Sequence, residues 1–322
     1  MIKILYAGSP EESGVTLEGL ISLSGTDFEI AGVLTNPASA KKRSSTLIPT
    51  PVGLVAEKYK IPLFTPEHLD SDARKEIQRI NADILVCFAY GHIFGPKFLS
   101  LFKYGGINLH PSALPKYRGC TPVNAAILNR DSSTAFTIQK VSLKMDEGNI
   151  IAQKTIDLDF SETAGSLLLH AAKEGITLFS DILKELNKNS SLPEGYVQSG
   201  DASYTKIILK SDAKINWNDS AEKIDAFVRA YYPEPCAWTL ENEQKIQIFE
   251  GEPLSDSDAE GFSCDLKSEP GKVCAFVKQK GILIKCGTGF YAVKKLQRQG
   301  KNAMDYKSFM NGARNFVGTV LN

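Results

Sequence analysis

Three polar side chains crowd one short stretch of this chain. Asn108, His110 and Ser112 lie in the run Asn108-Leu109-His110-Pro111-Ser112-Ala113-Leu114-Pro115-Lys116-Tyr117-Arg118-Gly119. Residues Gly106 to His110 read as a strand, and at strand period Asn108 and His110 share a face, with Leu109 opposite. An amide donor and an imidazole then project together. A second feature is Met145-Asp146-Glu147-Gly148. Alone, an aspartate close to a glycine is a turn residue, and a histidine before a proline is a structural one. Together they suit acyl transfer to an amine. That reaction needs a donor for the carbonyl oxygen as it becomes an oxyanion and a group to take the proton of the attacking amine. Asn108 is a neutral donor for the first, and His110 can be the base or, once protonated, a second donor. An aspartate beside the imidazole would orient it and favour its cationic form. Direct attack by the amine requires neither a Ser or Cys nucleophile nor a metal.

The elements that must position these residues follow from hydrophobic pattern. Ile2 to Ala7 is a short apolar run stopped by Gly8-Ser9-Pro10, a strand and a turn. Helical spacing of Val15, Leu17, Leu20, Ile21 and Leu23 follows, then a strand at Phe28 to Thr35. Asn36 to Pro51 is polar, basic and interrupted by prolines, a loop long enough to be functional. Helices are predicted over Val52 to Tyr59 and Asp70 to Asn81, with a short strand at Pro62 to Phe64 between them. Asp83 to Ala89 is the most apolar strand and should be central, since strands covered on both faces lose polar alternation. Strands alternating with helices imply a parallel sheet. Ligands of such sheets bind beyond the carboxyl ends of the strands, where Asn108, His110 and Ser112 fall.

From Phe136 to Thr155 the pattern turns β-rich, and Ala164 to Leu186 is an amphipathic helix with a cap at Ser161 or Thr163. Asn187 to Ser203 collects Asn, Ser, Pro and Gly and reads as an inter-domain linker. Beyond it come a helix from Ala221 to Ala230 and short strands at Lys245 to Phe249, Gly271 to Phe276, Gly281 to Cys286 and Tyr291 to Leu296. Short strands broken by turns suggest a small OB-like β-barrel. The expected fold is α/β: a Rossmann-like core with a mostly parallel sheet, plus this C-terminal barrel.

Composition narrows the class. Thirty-seven cations balance 37 carboxylates, so no global field argues for nucleic acid or membrane. The balance is uneven along the chain. From Pro270 to Asn322 ten cations face the single acid Asp305, whereas Lys206 to Glu269 holds fourteen acids and seven cations. A basic segment on a neutral chain fits a phosphate-backbone footprint. The six cysteines form no C-x-x-C pair and no zinc spacing with the four histidines, as suits thiols in a reducing compartment. No window approaches a membrane span, and the apolar start is too short for a signal peptide. A cytoplasmic protein is expected.

Asn108-Leu109-His110-Pro111-Ser112, Leu114-Pro115, Tyr117-Arg118-Gly119 and Met145-Asp146-x-Gly148 resemble the folate-dependent formyltransferases. The likeness is fullest to members acting on methionyl-tRNA. It includes Ala7-Gly8-Ser9-Pro10, Thr50-Pro51-Val52, Ala89-Tyr90-Gly91 and Arg118-Gly119-x-x-Pro122. It continues in Ile215-Asn216-Trp217, Arg229-Ala230, Pro233-x-Pro235-x-Ala237-Trp238 and Pro270-Gly271. The resemblance implies a catalytic formyltransferase domain over 1–189, a linker over 190–205 and a tRNA-binding β-barrel over 206–322. It implies transfer of the formyl group of 10-formyltetrahydrofolate to the α-amine of methionine on initiator methionyl-tRNA, by a monomer without metal. Asn108 would polarise the formyl oxygen, and His110 would assist proton transfer with Asp146 behind it. Ser112, Ala113, Leu114 and Pro115, together with Ala89, Tyr90 and Gly91, would contact the folate.

Lys41, Lys42 and Arg43 match the family's insertion against the tRNA acceptor stem, although Ser44-Ser45-Thr46 stand where the family has glycine and lysines. Ala113 replaces the family's usual leucine. Two rival readings are a formyltransferase acting on an amino-sugar nucleotide and a non-catalytic RNA- or nucleotide-binding protein. A sugar substrate would need neither the basic loop nor the basic segment, and Gly8-Ser9-Pro10 is no dinucleotide fingerprint.

Overall fold

A computed structural model describes residues 1–40, 46–262, 264–313 and 315–322. The chain divides into two compact units. The first comprises 1–122, 133–157 and 167–206; the second comprises 123–132, 158–166 and 207–322.

The first unit is built on β1 (Ile2–Ala7), α1 (Glu11–Leu23), β2 (Phe28–Leu34), the short strands β3 (Ser39–Ala40) and β4 (Leu47–Ile48), α2 (Pro51–Lys58), β5 (Leu63–Phe64), α3 (Ser71–Gln78) and β6 (Ile84–Cys87). It continues with α4 (Pro96–Leu99), β7 (Gly106–His110) and β8 (Arg118–Gly119). After α5 (Pro122–Leu128), which apart from Pro122 belongs to the second unit, come β9 (Ser133–Lys140), β10 (Ile150–Asp157), α6 (Ala164–Asn189) and β11 (Tyr204–Thr205). Seven strands form one sheet in the order β10-β9-β7-β6-β1-β2-β5. The pairs β2–β5, β1–β2, β1–β6 and β6–β7 are parallel; β7–β9 and β9–β10 are antiparallel. The all-apolar β6 sits in the middle, every residue buried, as its lack of polar alternation predicts.

Helix α6 shows why β7 presents the face it does. Leu167, Ala171, Phe179, Ile182, Leu183 and Leu186 recur at helical spacing and are buried. Gly175 lies where any β-carbon would strike the Leu109 side chain, so α6 packs against the Leu109 face of β7. Asn108 and His110 are thereby left on the other face. The helix starts on the Thr163 hydroxyl, which accepts the Ser166 N–H at 3.1 Å, one of the two caps expected. It is the longest helix, and none among the described residues is long and apolar enough to cross a membrane.

The segment predicted as a linker behaves differently. Tyr196 pairs with Ile150, and β11 pairs in parallel with β8, so 196–205 is sewn onto the first unit. Its polar composition reads as a loop because its hydrogen bonds go to distant partners rather than along a regular element. Within the stretch predicted as a loop, β3 pairs with β4. Lys41, Lys42 and Arg43 lie outside the described residues.

The second unit holds α7 (Ala221–Ala230), β12 (Ala237–Glu241), β13 (Gln244–Leu254), α8 (Asp256–Glu260), β14 (Val273–Val277), β15 (Gly281–Lys285), β16 (Phe290–Arg298), β17 (Met304–Asp305) and α9 (Tyr306–Gly312). Its antiparallel sheet runs β12-β13-β16-β15-β14, with β17 on β16. The expected small β-domain of short strands is there. Strand β12, absent from the sequence reading, is one edge of it. Bulges on either side of Glu250 bend β13, and bulges increase local twist.

Leu85, at the centre of β6, is wholly buried among Leu5, Ala82, Phe98 and Phe102. Leu85→Ala should destabilise the protein by about 2–5 kcal/mol, read as a lowered urea midpoint with unchanged slope; an unchanged midpoint would contradict this packing.

Candidate active site

His110 ends β7 and is only 4% exposed. Its Nε2 lies 2.9 Å from the Tyr117 carbonyl oxygen. A carbonyl only accepts, so Nε2 carries a proton. The other ring nitrogen, Nδ1, faces Asp146 Oδ2 at 3.6 Å. Thirty-six residues of chain separate the two groups, yet carboxylate and imidazole come together within the first unit. Asp146 Oδ2 also accepts the Gly119 N–H at 2.8 Å, and Oδ1 accepts from Gln139 Nε2 at 2.7 Å. The carboxylate is thus fixed from two sides, and it faces one edge of the imidazole.

Asp146 is both the turn residue and the partner of His110. Its φ is 54°, in the left-handed region that aspartate tolerates better than most residues. Gly148 closes the turn where a β-carbon would collide with the Lys140 carbonyl oxygen. Two more non-glycine residues beside the site, Ala89 and Tyr117, also have positive φ, 53° and 58°. Strained backbone of this kind gathers where surrounding contacts over-determine it, often at functional sites.

Asn108 is half-buried, and its amide has no hydrogen-bond partner among the described residues. In register it sits beside Cys87 of β6 and Gln139 of β9. It is therefore the donor of the group left available. Ser112 is fully buried. Its hydroxyl donates to the Lys116 carbonyl at 2.6 Å, while its own carbonyl accepts from Thr137 Oγ1 at 2.6 Å. Leu114 is buried too, leaving Ala113 and Pro115 half-exposed. At the end of β6, Ala89 and Gly91 are exposed, while Tyr90 is buried and stacks on Phe94 with centroids 5.4 Å apart. The Tyr90 carbonyl accepts from Asn36 Nδ2 at 3.2 Å, and Asn36 Oδ1 lies 2.8 Å from His92 Nε2. This tie joins the carboxyl ends of β2 and β6 on either side of β1, at the point where strand order reverses.

Gln139, the backbone of Tyr117 and Gly119, and Gln198 also belong to the site, though no sequence motif assigns them a part in it. Gln139 carried a signal: a glutamine inside the β-rich stretch, at the strand period of Phe136–Lys140, faces some polar partner if buried. Gln198 carried none, since it lies in the segment read as linker.

Comparison with known proteins agrees with this architecture. Residues 3–183 match the model of the formyl transferase family, and residues 207–314 match that of the formyl transferase C-terminal domain. A methionyl-tRNA formyltransferase of Treponema denticola is 36% identical over 324 residues, covering 98% of both chains. The fold is shared with HypX from Aquifex aeolicus, solved with tetrahydrofolic acid, at a TM-score of 0.64 and 12% identity over 98% of this chain. This chain spans about half of that protein, 48% of its length. A methionyl-tRNA formyltransferase from Clostridium thermocellum has a TM-score of 0.57 at 16% identity, covering 78% of this chain and 93% of that one. The fold is thus the α/β fold of formyl-transferring enzymes. The chain belongs to the formyl transferase family.

The Cys87 thiol lies beside Asn108 in register, and burial pushes it up to about 12, with the charge of Asp146 adding to the effect. Thiolates, not thiols, are nucleophiles. Iodoacetamide at neutral pH should therefore label the exposed Cys120 and spare Cys87, while all six cysteines react in denaturant. Peptide mass spectrometry reads the outcome, and labelling of native Cys87 as fast as Cys120 would contradict it.

Proposed function

We propose that this protein transfers the formyl group of 10-formyltetrahydrofolate to the α-amine of methionine on initiator methionyl-tRNA, in the cytoplasm and as a monomer. The observation that carries the chemistry is the meeting of His110 with Asp146 near Asn108, whose amide has no hydrogen-bond partner among the described residues. The choice of acceptor is supported by the near full-length likeness to a methionyl-tRNA formyltransferase. The choice of donor is supported by the tetrahydrofolic acid in a structure of like fold.

In this reading the amine nitrogen attacks the formyl carbon, and the carbonyl oxygen gains the negative charge of a tetrahedral intermediate. Asn108 Nδ2 donates to that oxygen, as an oxyanion donor should. The attacking nitrogen loses a proton, and the folate nitrogen gains one as its bond to carbon breaks. His110 assists that transfer, with Asp146 stabilising the imidazolium. Ala89, Tyr90, Gly91 and the 112–115 turn form the folate-facing wall. The exposed Ala89, Gly91 and half-exposed Ala113 are its open surface, while Ser112 and Leu114 support it from within.

The 1–189 segment is the catalytic domain in this proposal, and 206–322 is the tRNA-binding domain. The ion pairs of the second unit narrow which of its cations are available to phosphates. Lys285 pairs with Asp256 at 2.9 Å, Lys294 with Glu252 at 2.6 Å, Lys280 with Glu252 at 3.8 Å and Arg298 with Glu241 at 2.8 Å. Lys278, Lys295, Lys301 and Lys307 are exposed and form no ion pair among the described residues. They are the better candidates for a phosphate backbone. Lys41, Lys42 and Arg43 add a second contact, to the acceptor stem.

Incubation of the purified protein with formyl-folate and charged initiator tRNA tests the proposal. Formylation of an amino-sugar nucleotide with methionyl-tRNA left untouched would overturn it. Asn108→Ala should lower kcat by roughly 100- to 1000-fold, with the fold and tRNA affinity retained. Arg43→Ala should raise KM for tRNA more than KM for the folate; an equal rise in both would remove the loop from tRNA recognition.

A further inference from the structure

We infer that Gln198 is a positioning residue that sets the geometry of Asp146 against His110, and so is required for the rate of the chemical step. This rests on the functional reading above. The Gln198 amide bonds to the chain segments that define the site, and its Nε2 also lies 3.4 Å from Gln139 Oε1 on β9. Its Nε2 donates to the carbonyl oxygens of Asp146, at 2.7 Å, and Gly148, at 2.9 Å, clamping the left-handed turn from its backbone. Its Oε1 accepts from Arg118 Nε at 3.1 Å and Nη2 at 2.7 Å. Arg118 precedes Gly119, whose N–H holds Asp146 Oδ2. One side chain therefore ties the backbone of Asp146 to the segment that grips its carboxylate.

The neighbouring residues of the 196–205 strap, which carries β11, act on the same segment. Ser203 Oγ accepts the Tyr117 N–H at 2.9 Å, the Ser203 carbonyl accepts the Arg118 N–H at 2.9 Å, and β11 pairs with β8. Tyr117 supplies the carbonyl that receives the His110 Nε2 proton. The strap thus references both partners of the imidazole to one frame. Arg118 is also closed off on its outer side by Glu147 Oε1 at 3.2 Å and the Tyr204 hydroxyl at 2.8 Å, so its guanidinium is held to the Gln198 oxygen. A misplacement of the carboxylate by about 1 Å is enough to lower a rate by roughly 100-fold.

Gln198→Ala and Gln198→Glu separate positioning from simple stability. The glutamate keeps the length and the acceptor toward Arg118 but turns an oxygen onto the Asp146 and Gly148 carbonyls. Formyl transfer is measured at saturating donor and acceptor, with each KM, alongside the thermal transition. Gln198→Ala should lower kcat by roughly 10- to 100-fold while both KM values stay within about threefold, and Gln198→Glu should fall at least as far. In an Asp146→Asn background, measured in single turnovers, the alanine change should add little, because the two residues act as one unit. Val197→Ala, at a neighbouring side chain 74% exposed, should leave the rate unchanged.

Full additivity in the double variant, or raised KM with unchanged kcat, would overturn the inference. An active wild type with indifferent Gln198 variants would overturn it while leaving the functional reading intact. An inactive wild type would overturn the functional reading instead. The geometric half is then still read by nitrogen NMR of the histidine rings. The His110 signals should move in Gln198→Ala, and unchanged signals would sink it.

Discussion

A carboxylate 15% exposed, facing an imidazole 5% exposed, is the interaction on which the site rests. Such a charge is stable in place only if its oxygens are satisfied. Asp146 accepts two hydrogen bonds, from Gly119 and Gln139, and faces His110 with what remains. Hydrogen bonds to a charged group contribute about 1.5–3 kcal/mol each. A non-glycine residue in the left-handed region costs of the order of 1–3 kcal/mol. The bonds therefore outweigh the backbone strain at Asp146, and the strained turn is held by the charge it delivers.

The topology of the sheet makes this possible. A parallel sheet alone would place Asn108 and His110 at the carboxyl end of β7 and leave their flank to another crossover helix. Here β9 returns antiparallel beside β7, setting Gln139 opposite Asn108 and Thr137 opposite His110. Gln139 then reaches Asp146, and Thr137 holds the Ser112 carbonyl. A single strand thus orders both the carboxylate and the turn that follows the histidine. The loop from β9 to β10 is short enough to return Asp146 to the same place, since Gly148 lets the chain pass close over Lys140.

The second unit follows a different electrostatic logic. Its basic segment looks uniform in sequence, but the fold divides it. Lys285 is buried against Asp256 and lies 4.5 Å from the centre of the Phe290 ring. Arg298 is fixed by Glu241 and stands over Phe309 at 4.8 Å. These cations complete the packing of the small β-domain, and the exposed lysines carry its external charge.

Much of the scaffold was legible along the chain, because burial imposes a local period. The runs that became β1, β2, β6 and β7, the central place of β6, and the helices α2, α3, α6 and α7 follow from apolar spacing and caps within about ten residues. Asn108 and His110 were legible as a pair for the same reason, two residues apart on one strand. The partners of Asp146 were not. Gly119 binds it across 27 residues, and Gln198 holds its carbonyl across 52. A backbone N–H has no side-chain signature, and a glutamine in a polar segment looks like solvent-exposed chain until a distant turn gives it something to bind. The sequence by itself determined which groups are present and on which faces of their own strands they lie. Only the tertiary structure decided which of them meet, because desolvated charge is satisfied by whichever donors the fold brings within 3 Å, whatever their separation along the chain.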